Sequence, residues 1–339
     1  MKIICIEEHT IDPATNAATR PAIQREAPYF ALIGSTASRA RDNHRPTPVA
    51  MAQARELGAD IGAGRIKRMD EHGIHMQVLS YGSLPQFAPP GQVVALTRGA
   101  NDRLAEAIAA NPTRLSGFAV LPWPDPEAAA VELDRCITQL GLKGVLTGRP
   151  GETFLDDPRY APVLQKLNDL NVPLYIHPSV PVRDVQQVYY SGFSPEVTAQ
   201  FSLHGWGWHH EAGIQVLRLI LSGAFERYPA LQVISGHWGE MVPFYLQRMD
   251  DMLPPSVTGL SRTITETYLN HVWVTPSGMF DLPHFQFINT IIGADRIIWS
   301  VDYPYLTLDG TREFLDKLPV SEEDREKMAH LNAEKLLSL

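Results

Sequence analysis

The sequence predicts an α/β protein of the (β/α)8, or TIM barrel, class, and two observations support this prediction. Short apolar strands alternate with amphipathic helical stretches along almost all of the 339 residues, which indicates a parallel sheet. The pattern yields eight strands, the number that closes such a sheet into a barrel. The predicted strands are 3–7, 76–80, 116–121, 143–147, 173–177, 232–236, 271–275 and 297–301.

The spacing of apolar residues predicts helices between these strands, at 98–111, 125–140, 158–170, 206–225 and 239–253. Asp125 followed by Pro126 is typical of a helix start, with a capping side chain before a proline in the first turn. Ser321, with the carboxylate of Asp324 three residues later, predicts the start of the last helix.

Two segments interrupt the alternation of strands and helices. Residues 10–60, after the first strand, and 178–204, after the fifth, show little periodicity. Long loops inside a compact domain are usually functional lids or poorly ordered segments. We therefore expect a single domain over residues 1–339, with both segments as loop insertions near the mouth of the barrel. The sequence does not choose which of them covers the pocket.

Charge and composition exclude several classes of protein. A net charge of −9 and a pI near 5.7 argue against a nucleic-acid surface. No run approaches the roughly 18 apolar residues of a membrane span, and the first residues lack the features of a signal peptide. The two cysteines, Cys5 and Cys136, give no disulfide framework. We expect a cytoplasmic protein without a nucleic-acid or membrane partner.

Four potential metal ligands end or follow predicted strands. Glu7 and His9 are two residues apart and so share one face of the first strand, His177 ends the fifth strand, and Asp302 follows the eighth. In a closed barrel these strand ends meet at one mouth. Any one histidine alone is more often a hydrogen-bonded core residue. Together, however, the four predict a site for one Zn²⁺ or Mn²⁺, with a position left open for water or substrate.

A second metal ion is not expected. Barrels that hold two ions often bridge them with a lysine at the end of strand four. Lys143 stands instead at the beginning of that strand, at the opposite mouth. One divalent ion and no organic cofactor is the simplest interpretation.

His237 and Glu240 follow the sixth strand. They are three residues apart, so a helix beginning there would place both on one face. A histidine held by a carboxylate could move protons or orient a substrate. The alternatives are a fifth metal ligand or a simple contact at a helix start.

Weaker candidates surround this group. Arg248 could bind a substrate carboxylate with two hydrogen bonds, or it could be a solvated surface residue. Trp206 and His210 are possible pocket residues. Adjacent histidines on a helix point about 100° apart, so His209 and His210 do not predict a second metal site.

Six short motifs carry a resemblance to a known family: 7–9 (Glu-Glu-His), 101–102, 118–122, 175–178, 236–240 and 300–304. On these motifs the chain resembles the metal-dependent decarboxylases of the amidohydrolase superfamily, the group of γ-resorcylate, 2,3-dihydroxybenzoate and 5-carboxyvanillate decarboxylases. The Glu-x-His start is informative, because most relatives that hydrolyse amides or esters begin with His-x-His.

The resemblance implies a role for each matched residue. Glu7, His9, His177 and Asp302 would bind one Mn²⁺ or Zn²⁺. His237 would lie beside the substrate, with Glu240 orienting it. Arg248 would reach the active site of a neighbouring subunit in a homodimer or homotetramer. Trp206 and Tyr303 are further candidates for substrate contact.

The implied reaction is the non-oxidative decarboxylation of an ortho-hydroxy aromatic, or similar unsaturated, carboxylic acid. Asp302 would deliver a proton to the ring carbon that bears the carboxylate, and loss of CO2 would restore aromaticity. The ion would act as a Lewis acid toward the negative charge that develops. Thr10 stands where an aromatic residue would be expected, and the sequence from Tyr303 is less acidic than expected, so the ring substituents stay open.

Two alternative functions are compatible with the same scaffold. A metal-dependent hydrolase of a lactone, ester or amide could use the same scaffold, and release of CO2 would separate it from a decarboxylase. A metal-binding scaffold without activity is disfavoured, because the full ligand set is accompanied by His237. The sequence does not choose between Zn²⁺ and Mn²⁺, nor does it give the size of the oligomer.

Overall fold

Seven parallel strands form the centre of the structure, a computed structural model that describes residues 1–32, 44–82 and 85–339. They pair in the orders β1-β2-β3 and β4-β5-β6-β7. The strands are β1 Ile4–Thr10, β2 Met76–Tyr81, β3 Leu115–Gly117, β4 Val145–Thr147, β5 Leu174–Ile176, β6 Val233–Ser235 and β7 Val272–Val274.

Backbone hydrogen bonds bridge both gaps between these two sheets. On one side the amide of Ala119 donates to the carbonyl of Gly144 at 2.8 Å. On the other side, residues 297–301 lie between β7 and β1. The amide of Ile298 donates to Val274 at 2.9 Å, and the carbonyl of Trp299 accepts from Ile6 at 3.1 Å. The eighth predicted strand therefore occupies its predicted place, as bridging contacts rather than a regular strand, and the predicted TIM barrel fold is confirmed.

Helices surround the strands, and the predicted helix starts are found. Asp125 accepts a hydrogen bond from the amide of Ala128, and Ser321 accepts one from Asp324. The helices are α1 Pro13–Glu26, α2 Met51–Ala59, α3 Ala63–Glu71, α4 Pro90–Ala110, α5 Pro126–Thr138, α6 Ala161–Leu170, α7 Arg183–Val185, α8 Pro195–Ser202, α9 Gly207–Leu221, α10 Ala224–Arg227, α11 Val242–Met252, α12 Pro255–Thr258, α13 Ile264–His271, α14 Leu282–Ile292, α15 Thr311–Lys317, α16 Glu322–Glu326 and α17 Asn332–Leu337.

The expectation of loops without regular structure in the two insertions is wrong in part. Helices α1 and α2 lie within 10–60, and α7 and α8 lie within 178–204. Helix α1 buries Thr15, Thr19 and Ile23, so two of the three side chains on its inner face are polar and the apolar periodicity is weak. Asp12 caps the helix by accepting from the amide of Thr15 at 2.8 Å, a local signal that the pattern of apolar residues does not contain.

The barrel interior is filled by one apolar cluster. Its members come from nearly every strand and from the C-terminal helix: Ile4, Ile6, Met76, Val78, Phe118, Leu146, Tyr175, Ile234, Trp273, Ile298, Ala333 and Leu337. Because this cluster plugs the barrel, a small-molecule site must lie at one of its mouths rather than along its axis. Among the described residues, no helix combines the length and the apolar character that crossing a bilayer requires.

Candidate metal centre and active site

Glu7 and His9 face the mouth of the barrel because β1 is bulged. Ile4 and Ile6 belong to the interior cluster, and in a regular strand this alternation would turn Glu7 and His9 away from the barrel axis. The register with β2 shifts just before Glu8, and a bulge re-aims the side chains that follow it. The two predicted ligands thus reach the site through a local irregularity.

The four predicted metal ligands come together at this mouth. Each offers one ligand atom, and these atoms all lie within 4.8 Å of one another. His177 follows β5 directly, and its Nε2 lies 3.7 Å from Oε1 of Glu7. Asp302 follows the bridging segment 297–301, and its Oδ1 lies 3.1 Å from Nε2 of His9.

The chemistry of these atoms fits a divalent cation. Oε1 of Glu7, Nε2 of His9 and Oδ1 of Asp302 are buried without a hydrogen-bond partner. The short contact between His9 and Asp302 lacks hydrogen-bond geometry. It brings two potential ligand atoms close together and is not an ion pair. Buried polar atoms are rarely left unpaired. One cation among nitrogen and oxygen ligands would satisfy all of them.

The remaining atoms of the two histidines are held in place. Nδ1 of His177 donates to the carbonyl of Pro178 at 2.8 Å, which leaves the lone pair of the neutral ring on Nε2. Nδ1 of His9 lies 2.9 Å from the hydroxyl of Ser80. Burial lowers the pKa of His9 to about 4 and the pKa of His177 to about 3. Both rings are therefore neutral at pH 7, as metal binding requires.

The second oxygen of Glu7 is anchored by three hydroxyl groups. Oε2 accepts from Thr275 and Ser300, each at 3.3 Å, and from Ser277 in a shorter contact. These supporting residues were not predicted. Ser300 stands within the 300–304 motif, but Thr275 and Ser277 follow β7, where the sequence offers no charged residue as a signal.

Asp302 has its two oxygens in different surroundings. Oδ1 belongs to the ligand group, whereas Oδ2 lies 4.0 Å from Nε2 of His237. Burial raises the pKa of Asp302 to about 7, although the positive charges of His237 and His209 act against this rise. One oxygen can therefore face an ion while the other faces a basic side chain.

His237 and Glu240 are brought together by a left-handed turn and not by a helix. Five successive residues have positive φ: His237 (46°), Trp238 (58°), Gly239 (85°), Glu240 (51°) and Met241 (67°). Helix α11 starts only after this turn, so the helix predicted from residue 239 is wrong at its start. Such backbone is costly for residues other than glycine and is concentrated at functional sites.

The pair formed by His237 and Glu240 is charged. Nδ1 of His237 donates to Oε1 of Glu240 at 2.8 Å. Burial alone would lower the pKa of His237, but the negative charges of Glu240 and Glu7 outweigh it and raise the pKa to about 10. Burial would raise the pKa of Glu240, but the neighbouring imidazoles of His237 and His209 lower it. His237 therefore presents a positive charge beside Asp302.

A cavity of about 620 Å³ opens over these groups and is lined by His177, His237 and Asp302. Both insertions contribute to its wall, with Phe30, Pro48, Val49 and Met51 from the first and Pro178, Ser179, Val180, Gln200 and His204 from the second. A volume of this size is typical of small-molecule sites.

The comparison with known families agrees with this geometry. The family model described as Amidohydrolase matches residues 42–339. The chain belongs to the amidohydrolase family. The predicted superfamily is therefore confirmed by a match over most of the sequence.

Several similar proteins of this family are decarboxylases. Decarboxylase orsB of Emericella nidulans is 32% identical over 332 residues, which cover 95% of this chain and 98% of that protein. Gamma-resorcylate decarboxylase of Rhodococcus jostii is 34% identical over 304 residues, which cover 85% and 90%. A solved dihydroxybenzoic acid decarboxylase from Polaromonas sp. JS666, with bound manganese and the inhibitor 2-nitroresorcinol, matches with a TM-score of 0.82 and 30% identity, covering 100% of this chain and 97% of that chain. The predicted enzyme class, a carboxy-lyase of the amidohydrolase superfamily, is confirmed.

Three predicted substrate contacts lie outside the described lining of the cavity. Tyr303 is buried and its hydroxyl accepts from Nε of Arg68 at 2.8 Å, so it is turned toward α3, and Tyr305 lines the cavity instead. Trp206 is 45% exposed and stacks on His210. Arg248 lies on the exposed side of α11. Within one chain, the structure does not bring these three residues to the cavity.

Proposed function

We propose that this member of the amidohydrolase family catalyses the non-oxidative decarboxylation of an ortho-hydroxy aromatic, or similar unsaturated, carboxylic acid at a single divalent metal ion. The observation that carries the proposal is the divided environment of Asp302. One of its oxygens belongs to the group of ligand atoms, and the other faces His237 across the cavity floor. Such a residue can hold an ion and carry a proton at the same time.

Glu7, His9, His177 and Asp302 would hold the ion. When bound, Mn²⁺ or Zn²⁺ supplies a Lewis acid for the negative charge that develops on a hydroxyl oxygen of the substrate. The manganese in the solved dihydroxybenzoic acid decarboxylase favours Mn²⁺, while the nitrogen and oxygen ligands suit Zn²⁺ equally.

Asp302 would be the proton donor. In the protein without a bound ion, burial raises its pKa to about 7. A bound dication lowers this pKa, and the negative charge of a bound substrate opposes that effect and favours the protonated carboxyl. The proton moves from Asp302 to the ring carbon that bears the carboxylate. The bond between that carbon and the carboxylate then breaks and CO2 leaves. The electron pair of the broken bond stays with the ring and restores its aromaticity. Hydrogen has replaced the carboxylate, and solvent returns a proton to Asp302.

His237 would bind the substrate. In the protein without a bound ion, Glu240 and Glu7 raise its pKa to about 10 against the effect of burial, so the ring is positively charged at neutral pH. A cation beside the cavity attracts a carboxylate, and this attraction becomes stronger as water is excluded. Glu240 would not touch the substrate but would keep the ring of His237 in its orientation.

The walls of the cavity support an aromatic substrate. Apolar side chains such as Met51, Leu146, Val180 and Leu306 line it, together with the ring of Tyr305. An aromatic ring packs well against such groups, whereas the polar groups converge on one side. We propose that the described residues of segments 10–60 and 178–204 form part of this wall within a single domain over residues 1–339. Residues 33–43 of the first segment lie outside the described part of the chain.

An exposed aromatic surface supports the proposed homodimer or homotetramer. Phe244 is 70% exposed and Tyr245 is 55% exposed on α11, and the ring of Phe287 on α14 lies 5.8 Å from that of Phe244. Large exposed apolar patches mark interaction sites. Arg248 lies one turn beyond Phe244 on α11, so a second copy packed there would receive Arg248 at its surface.

One assay tests the reaction. Metal-analysed protein is incubated with a panel of ortho-hydroxybenzoates, and both CO2 and the loss of substrate absorbance are followed. The proposal expects equal amounts of CO2 and decarboxylated phenol. Consumption of a lactone, ester or amide without release of CO2, together with no reaction of any acid, would instead establish a hydrolase.

A further inference from the structure

The carboxylate of Glu240 lies between two imidazole rings. Its Oε1 accepts from Nδ1 of His237 at 2.8 Å, and its Oε2 accepts from Nδ1 of His209 at 3.1 Å. The two rings are 4.3 Å apart and inclined at 62°, and Glu240 is almost fully buried. Each oxygen of the carboxylate therefore accepts a hydrogen bond from one of the two rings.

His209 can keep this hydrogen bond in either of its protonation states. A carboxylate only accepts, so Nδ1 of His209 must carry hydrogen. Nε2 has two neighbours of opposite character: the indole N–H of Trp208 at 3.1 Å and the carbonyl of His204 at 3.0 Å. The neutral ring accepts from Trp208 at Nε2, and the protonated ring donates to His204. In both cases Nδ1–H stays directed at Glu240.

Two glycines fix the helix that carries His209. A Cβ at Gly207, the first residue of α9, would lie 2.2 Å from the carbonyl oxygen of Ser202, and a Cβ at Gly213 would lie 2.5 Å from the carbonyl oxygen of Glu240. Helix α9 therefore touches the backbone of the left-handed turn. His209 is four residues before Gly213, on the same face of the helix, and so reaches the side chain of Glu240.

We propose that His209 is a positioning residue that holds Glu240, and through Glu240 the ring of His237, against the substrate. This inference rests on the proposed decarboxylation. Without His209, Oε2 of Glu240 would be buried and unpaired, a costly state that the carboxylate relieves by rotating. Rotation would break its bond to His237, which stands on strained backbone and whose Nδ1, among the described residues, is oriented by this carboxylate alone.

A matched pair of substitutions separates the hydrogen bond from the bulk of the ring. Asn places its side-chain N–H close to the position of Nδ1, whereas Leu has nearly the same shape without a donor. In the manganese-loaded enzyme we expect His209→Leu to lower kcat about 10- to 100-fold, in the range for residues that orient an active-site ligand, with a smaller change in KM. His209→Asn should recover most of the rate, and metal content should stay equal in all variants.

A spectroscopic readout tests the contact without turnover. In zinc-loaded enzyme labelled with ¹⁵N-histidine, the Nδ1–H protons of His209 and His237 should give two strongly downfield signals. His209→Leu should remove one and move the other, whereas His284→Asn, at an exposed histidine on α14, should leave both unchanged. A His237 signal that does not move in His209→Leu would overturn the positioning role.

The kinetic outcomes are also decisive. A wild-type kcat in His209→Leu, or an Asn variant as impaired as the Leu variant, would overturn the inference. If the wild-type enzyme releases no CO2 from any acid, the proposed reaction fails, and the NMR comparison still decides whether His209 holds His237 through Glu240.

Discussion

The buried guanidinium of Arg65 donates a hydrogen bond of 2.7 Å to the carbonyl oxygen of His9, one of the four proposed metal ligands. The same guanidinium donates to the side-chain oxygen of Gln77 at 3.0 Å, and the amide of Gln77 donates to Glu8 at 3.2 Å. Burial raises the pKa of Glu8 well above its usual value. Arg65 thus supplies both a backbone support for β1 after its bulge and the nearby positive charge for a buried carboxyl group.

We expect Arg65→Met to lower the free energy of unfolding by about 3–5 kcal/mol, because the buried oxygens of His9 and Gln77 lose a charged donor and Glu8 loses a nearby positive charge. Urea unfolding of the metal-free protein measures this loss. Glu8→Gln combined with Arg65→Met should lose less than the two single changes together. Lys67→Met, at an exposed position of the same helix, is the control and should change stability by less than about 0.5 kcal/mol. If the double variant loses as much free energy of unfolding as the two single variants together, the two residues are not coupled and the prediction is contradicted.

Removing the metal ion should abolish turnover and lower the unfolding temperature. The free ligand atoms of Glu7, His9 and Asp302 are buried without partners, so the folded protein should bind the ion far better than the unfolded chain does. At a free ion concentration of about 100 times Kd, binding stabilises by about 2.7 kcal/mol. Calorimetry before and after chelation, and after return of Mn²⁺ or Zn²⁺, measures this difference.

Glu7→Gln weakens the ligand set and should make the unfolding temperature insensitive to the chelator. Glu240→Gln alters the pair formed by His237 and Glu240 but none of the four proposed ligands. Its unfolding temperature should therefore still rise when the metal ion binds. A chelated wild-type protein that keeps its rate and unfolding temperature would contradict the metal site.

The sequence predicts the barrel and the ligand group because both follow from strands alone. Polar residues at the C-terminal ends of parallel strands converge at one mouth wherever the helices lie. The left-handed turn at 237–241 could not be predicted, since His, Trp, Glu and Met rarely adopt positive φ. His209 was likewise missed, because its contact with Glu240 joins residues 31 positions apart and depends on how α9 packs against that turn.

Asp302→Asn should lower kcat by about 10³-fold or more, because the amide cannot deliver a proton. Its side-chain oxygen can still bind an ion, so metal content should fall less than in Glu7→Gln. Single-turnover CO2 release and metal analysis of the same samples measure the two effects. Asp316→Asn, at an exposed position on α15, should behave as the wild type. A substantial rate in Asp302→Asn would remove the donor role.

The motif at 101–102 should contribute to stability at neutral pH, and not to catalysis. Asn101 links α4 to Val120 and to the carboxylate of Glu132, which also accepts from Arg135. Burial would raise the pKa of Glu132, but the hydrogen bonds from Arg135 and Asn101 lower it below its usual value.

A folded pKa below the unfolded value means that Glu132 stabilises the protein above its unfolded pKa of about 4.3. This contribution is lost as the pH falls through the folded pKa. We therefore expect the free energy of unfolding of Glu132→Gln to be lower than that of the wild type at pH 7, and the gap to narrow below about pH 4.3. Urea unfolding between these pH values measures the gap. A gap that is constant with pH would show that packing, and not charge, is responsible.

Arg248 should act in a neighbouring subunit, since its own cavity does not include it. Loss of a charged hydrogen-bond partner of the substrate should raise KM about 10- to 100-fold in Arg248→Leu. Co-expression of Arg248→Leu with Asp302→Asn distinguishes the two arrangements. If Arg248 crosses the interface, roughly a quarter of the sites in random mixed oligomers combine an intact Asp302 with an intact Arg248. If it acts within its own chain, no site does. Recovery of low-KM activity in the mixture would establish the shared site.

A separate measurement checks the surface that holds the oligomer together. Light scattering of Phe244→Asp should show a smaller particle than the wild type if the aromatic surface forms the interface.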